Sequence, residues 1–220
     1  LADLVATTVA KAVHWNRLYD PHARARDSAI KTALRDQGIA AQSHNGHLLF
    51  EPWDVQTGQG GFYRVYTPYW RAVMGRDVAR PLPVPALRGV DHALDSLSAE
   101  DLNLAPQMRR GAGVLARYAQ IGAEAAQTRL AQFLGDKVAA YKDKRDFLDQ
   151  DACSNLSEHL SLGEISPREI WHMGWEAHRH GAAGAEHFVK ELVWREFAYH
   201  LLYHSPQIST ENWRPDWDSF

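Results

Sequence analysis

Two stretches of this 220-residue sequence carry residue types that could do chemistry. The first runs Ser154-Asn155-Leu156-Ser157-Glu158-His159-Leu160-Ser161-Leu162-Gly163-Glu164-Ile165-Ser166-Pro167. It offers small hydroxyls where a helix should begin, and the unpaired N–H groups and positive dipole end of a helix start favour a phosphate. The same hydroxyls serve equally as plain helix caps. The second stretch, Glu191-Leu192-Val193-Trp194-Arg195-Glu196-Phe197, places Glu191, Trp194 and Arg195 at i, i+3 and i+4. One helical face then carries an acid, a large aromatic plane and a permanent cation. Read blandly, the trio is a surface ion pair beside a core Trp, worth about 0.5 kcal/mol.

Other chemistries find little support. Among twelve histidines, His178 and His180 lie close together and His200 and His204 stand at i, i+4. No His-Glu-x-x-His occurs and spacing supplies no third ligand, so no metal is expected. No Gly-x-Ser-x-Gly elbow supports a hydrolase. The glycines of Thr57-Gly58-Gln59-Gly60-Gly61 fit neither the P-loop nor the dinucleotide spacing and read as a turn. A single cysteine, Cys153, excludes internal disulfides and a four-thiolate cluster, and fits a reducing cytoplasm. A net charge of −3 gives no whole-chain electrostatic case for nucleic acid. Hydrophobic residues make up 45% of the chain, yet no run approaches the ~20 apolar residues of a membrane span. No membrane partner is expected.

The elements that must position these residues follow from pattern. Leu1, Leu4, Val5 and Val9 keep helical spacing, and a first residue other than Met leads us to expect sequence upstream. Residues 10–19 read as a buried strand, Asp20-Pro21 as a helix start, and residues 21–37 as a helix capped by Gly38. Residues 39–44 give a second strand, so this is one βαβ unit, the tail of a larger α/β domain. Thr67-Pro68 is expected to cap a short helix through Val73. Pro81, Pro83 and Pro85 mark a linker over residues 75–113, with a short helix after Ser98 and a domain boundary near 110. From Gly122, the spacing of Ala126, Leu130, Phe133, Leu134, Val138 and Tyr141 predicts one long amphipathic helix. On base rates Tyr141 is a core aromatic. Ser166-Pro167-Arg168-Glu169 is a capping box starting the helix that bears Ile170, Trp171 and Trp175. A second helix over residues 185–204 should bury Phe188, Leu192, Phe197 and Leu201 on one side, with the acid, indole and guanidinium on a neighbouring face.

Taken together, the serine-rich stretch and Glu-Leu-x-Trp-Arg-Glu-Phe resemble the flavin-binding helical domain of the DNA photolyase and cryptochrome family. Trp15-Asn16-Arg17-Leu18-Tyr19 is similar to a run in that family's antenna domain, with Leu18 where a second Arg is usual. The run from Gly46 to Trp70 resembles the passage between its sheet and helical domains, with Phe62 in place of a Pro. The resemblance implies an α+β protein: the C-terminal part of an α/β, Rossmann-like domain (residues 1–74), a linker (75–113), and the first part of an all-α FAD-binding domain (114–220). It implies FAD contacts from Tyr141, Cys153, Ser154, Leu156, Ser157, Phe188, Glu191 and Arg195. Cys153 stands where the family has Thr, and Asn155 where it often has Arg. It further implies that Glu191 hydrogen-bonds a damaged pyrimidine pair on which Trp194 stacks, as extruded bases are commonly held. The implied activity is light-driven splitting of cyclobutane pyrimidine dimers with reduced FAD, in a cytoplasmic, monomeric enzyme whose partner is damaged DNA. The antenna chromophore is not identified. The alternatives are a cryptochrome-type photoreceptor without repair and a piece inactive by itself, since the family continues well beyond the residue matching Phe220.

Overall fold

The computed structural model describes residues 1–86, 89, 94, 96–104 and 106–219. Helix α1 (Ala2–Thr8) ends on Val9 in the left-handed region; only Val5 of its apolar pattern is buried. Strands β1 (Ala12–Asn16) and β2 (Ala40–His44) pair in parallel, Ala12 opposite Ala40. Between them lies α2 (Pro21–Asp36), whose start obeys local chemistry. The Asp20 carboxylate accepts the Ala23 N–H at 2.8 Å, and Pro21 fills a position whose N–H would have no helical partner. Gly38, at φ +73°, takes the left-handed turn after the helix that a side chain would oppose. Val5, Leu34 and Ala41 form a small core with Trp15 and Ile30 packed against it.

Helix α3 (Tyr66–Val73) begins earlier than expected, with Val65 and not Thr67 at the cap position. Pro68 is tolerated because N–H groups of the first turn have no intrahelical acceptor. Directly after Ser98, residues 99–102 form turns and not the expected helix. The Asp101 carboxylate instead accepts from both the Ser98 N–H and its hydroxyl, at 3.0 and 2.7 Å, closing an isolated turn. Residues 77–86 carry neither helix nor strand, α4 (Arg110–Leu115) comes later, and much of the expected 75–113 linker lies outside the described residues.

The predicted long helix after Gly122 is broken. Helix α5 (Ala123–Gln132) passes into a π-helical turn (Phe133–Lys137), a tight turn (Val138–Ala140) and the short α6 (Tyr141–Lys144). The wide turn re-aims the chain, and Phe133, Val138 and Tyr141 are all buried on it. Helices α7 (Ser157–Leu162), α8 (Pro167–Arg179) and α9 (Ala185–His204) complete the region. Half of the capping box at α8 forms: Ser166 Oγ accepts from the Arg168 N–H at 3.3 Å.

Helix α9 is the hub. Its buried set extends beyond the expected stripe to Val189, Val193, Glu196 and His200, while Leu201 is half-buried. A helix apolar on most sides must be covered on most sides, and α8, α6, α3 and the 52–54 turn all pack on it. The main core joins Leu49, Phe50, Val55, Tyr69 and Val73 to Leu130, Phe133, Ile170, Val189 and Val193. Each fully buried aliphatic or aromatic side chain contributes about 1.5–3 kcal/mol. The fold is α+β, a Rossmann-type βαβ unit followed by helices.

Candidate functional site

A cleft of about 570 Å³ opens between α6, the 153–156 segment, α7, α8 and α9. Tyr141, Cys153, Ser154, Leu156, Ser157, Phe188, Glu191 and Arg195 all line it. Backbone exceptions build it. Gly184 precedes α9, and a Cβ there would lie 2.1 Å from the Val138 carbonyl oxygen, so only glycine lets α9 start against the Tyr141 turn. Tyr141 therefore belongs to core and cleft together, edge-on to Phe133 and Phe188 with centroids at 5.3 and 5.8 Å. Burial pushes its phenol up to about 12, so it stays neutral at ordinary pH.

Asn155 takes φ +52°, a conformation Asn tolerates better than most residues, and its carbonyl accepts from Arg129 Nη1 at 2.7 Å. That kink brings Ser154 and Ser157 to one wall. Neither serine caps α7: Leu156 holds the cap position, and among the described residues neither hydroxyl has a hydrogen-bond partner. The N–H groups of Ser157 to His159 have no intrahelical acceptor, because the first helical bond there runs from Leu160 N to Leu156 O at 2.9 Å. Cys153 Sγ lies 3.8 Å from the Arg145 carbonyl oxygen.

The charges are arranged differently from a surface ion pair between Glu191 and Arg195. Glu191 pairs with Arg145, whose guanidinium sits 5.3 Å over the Tyr141 ring. Arg145 Nη1 is buried without a well-directed hydrogen bond. Arg195 Nη1 donates to the His47 carbonyl at 2.6 Å, its guanidinium lies 5.0 Å over Tyr199, and its Nη2 is buried without a partner. Two cations and one anion thus face the cleft; Arg145 Nη1 is taken up by Glu191, and Arg195 Nη2 is the guanidinium nitrogen there short of an acceptor. Sequence reasoning missed Arg145, although it stands four residues after Tyr141 and so shares its helical face. It also missed Glu196, fully buried behind Arg195, whose Oε2 accepts from the Leu49 and Phe50 N–H groups at 2.8 and 3.2 Å.

Trp194 parts from its neighbours. It does not line the cleft but lies flat on Tyr66, with ring centroids 3.6 Å apart and planes 8° apart, and is 46% exposed. Helical phase explains this, since Glu191 and Arg195 fall about 40° apart around α9 while Trp194 falls about 60° to the other side. His200 and His204 are committed inside: His200 Nε2 accepts from the Tyr63 N–H at 3.1 Å, and His204 Nε2 lies 3.0 Å from the Pro52 carbonyl oxygen.

Comparison with known proteins adds a decisive observation. Residues 1–86 match the DNA photolyase family profile. The whole chain is 40% identical to 47% of the deoxyribodipyrimidine photo-lyase of Agrobacterium fabrum. The chain belongs to the DNA photolyase and cryptochrome family. A deoxyribodipyrimidine photo-lyase of Thermus thermophilus is 36% identical over 91% of the chain and 42% of its own length. The crystal structure of a class III photolyase from Agrobacterium tumefaciens superposes on all of the chain and 46% of its own, with TM-score 0.91 and 39% identity. The chain spans less than half the length of these photolyases. Among the described residues no helix is long and apolar enough to cross a membrane.

The photolyase family implies a flavin cofactor. The residues present fit an anionic, aromatic ligand: the unpartnered Arg195 Nη2 and two serine hydroxyls share the cleft with the rings of Tyr141 and Phe188.

Proposed function

We propose that this chain supplies one wall of the FAD pocket of a light-driven repair enzyme that splits cyclobutane pyrimidine dimers in DNA. What carries the reading is the convergence on one cleft of Tyr141, Cys153, Ser154, Leu156, Ser157, Phe188, Glu191 and Arg195, with the serine hydroxyls and Arg195 Nη2 free to serve a ligand. When bound, reduced FAD would supply the photoexcited electron that opens the cyclobutane ring and that returns afterwards.

The chain's own residues bind, orient and exclude. Ser154, Ser157 and the first N–H groups of α7 hold a diphosphate, and Arg195 Nη2 donates to the flavin. Leu156 and Phe188 exclude water. Arg145 pairs with Glu191 and holds it at the cleft, where its carboxylate accepts a hydrogen bond from a pyrimidine pair extruded from the duplex. Trp194 offers its free face to that pair. In the full protein, residues 1–74 form the antenna-side unit, 75–113 the connection and 114–220 the start of the flavin domain. The enzyme is a cytoplasmic monomer.

The test uses the longer protein that carries this chain, loaded with FAD. Blue light should restore intact thymines in a dimer-containing oligonucleotide, and Glu191→Ala should lower the rate about tenfold or more while FAD absorbance stays. A loaded, folded protein with no light-dependent repair would transfer the assignment to a cryptochrome-type photoreceptor.

A further inference from the structure

Trp194 is the largest exposed side chain on α9, and it is not free to turn. One face of its indole is covered by the phenol of Tyr66, nearly parallel at 3.6 Å between centroids. Phe197 closes one edge at 5.9 Å, with planes 72° apart. Tyr66 is itself fixed at two points. Its backbone opens α3, and its hydroxyl donates to the Lys190 carbonyl on α9 at 2.7 Å, one turn before Trp194. The same ring meets Phe197 edge-on at 5.9 Å. The phenol is therefore wedged between helices while the indole keeps one open face.

The geometry points to Tyr66 as a positioning residue for base recognition: it holds the Trp194 indole so that only one face, always in the same orientation, meets a flat ligand. A Trp on an exposed helix face ordinarily samples several rotamers, and a base stacking on it must first freeze them. Here Tyr66 has done so in advance, so the stacking energy goes into binding. A covered rear face also limits Trp194 to stacking on one side and rejects insertion between Trp194 and α3. The inference rests on the stacking role given to Trp194 above. Tyr66 touches no ligand and acts only through the indole.

The experiment measures dissociation constants of the FAD-loaded longer protein for one duplex with a single thymine dimer and for the same duplex intact. Trp194→Ala is expected to reduce the preference for the dimer about tenfold or more, at the upper end of a single base–aromatic stack. Tyr66→Leu should reduce it about three- to tenfold, the span of an aromatic pair. Tyr66→Phe, which keeps the flat ring, should stay within about twofold of the parent. In a Trp194→Ala background Tyr66→Leu should change the preference no further, whereas a merely structural effect would persist there. Should Tyr66→Leu lose FAD, Tyr66→Met, of similar volume without a flat ring, carries the measurement. If Trp194→Ala lowers the preference and neither Tyr66 variant does, the positioning role is overturned and the stacking role survives. If Trp194→Ala leaves the preference intact, the stacking role fails and takes this inference with it.

Discussion

At the scale of single residues, α9 places opposed environments side by side. Arg195 reaches the cleft and the His47 carbonyl together, so Arg195→Lys tests both uses: it keeps the charge but loses the planar fork. We expect about 1–2 kcal/mol lower stability by urea unfolding, from the lost charged hydrogen bond, and weaker FAD binding. Glu196 and His200 set the response to pH. Burial pushes the Glu196 carboxyl up to about 8 despite two N–H donors and the nearby Arg195. Burial, with His204 adding to it, lowers the His200 imidazole to about 4. An unfolded His200, with its ordinary value of 6.5, binds more protons than the folded one between pH 6.5 and 4, so this stability is present above 6.5 and lost as pH falls. Glu196 acts with the opposite slope: between its ordinary 4.5 and about 8 the folded state holds the extra proton, so stability falls as pH rises. Glu51, pushed up by burial, adds to that fall. The stability maximum should therefore lie near the acid side of neutrality. Glu196→Gln should flatten the decline between pH 6.5 and 8, read as urea midpoints at both values, and an unchanged slope would remove Glu196 as its source.

At the scale of elements, close approach decides what the cleft can be. Gly184→Ala would drive a Cβ into backbone at 2.1 Å, whereas Gly174→Ala would meet a side-chain methyl, Val189 Cγ2 at 2.7 Å, and no backbone. The first should cost about 2–3 kcal/mol and open the cleft at Tyr141, and the second about 1 kcal/mol. Unfolding midpoints and near-ultraviolet dichroism of the aromatic cluster check that order, and equal costs would contradict it. Neither glycine announces its role in the sequence, because the clash depends on a partner from another element. The same divide runs through the fold. The βαβ unit was legible, since Asp20, Pro21 and Gly38 act within a few residues of themselves, and the ends of α9 were legible from its neighbours. The π-helical turn was not, because the spacing fits one continuous helix, and the packing of Phe133 and Tyr141 on Phe188 comes from another element. Thr67 looked like a cap because it precedes a Pro, but the first turn of α3 already accommodates that Pro.

At the scale of the whole molecule, the cleft residues were readable through family resemblance, while what holds them in place was not. Arg145 against Glu191, Tyr66 under Trp194, and Glu196 on Leu49 join positions far apart in the chain, and no local pattern encodes them. The cleft is also open to solvent. Ligand pockets of ordinary affinity bury about 70–90% of a ligand's surface, and a cleft bounded by α6, α7, α8 and α9 leaves more of it in water. The two serines and the first N–H groups of α7 attract a diphosphate and Arg195 faces the flavin, but each such contact is worth about 1 kcal/mol or less in water. In an open cleft those contacts do not offset the freedom a cofactor loses on binding. The 220-residue chain alone should therefore leave purification with less than about a tenth of an equivalent of FAD, and the longer protein with close to one. Absorbance in the flavin bands against protein concentration measures both. Stoichiometric, tightly held FAD on the short chain would mean that the cleft encloses its ligand unaided, and that α9 with its serine-bearing neighbour is a complete binding site.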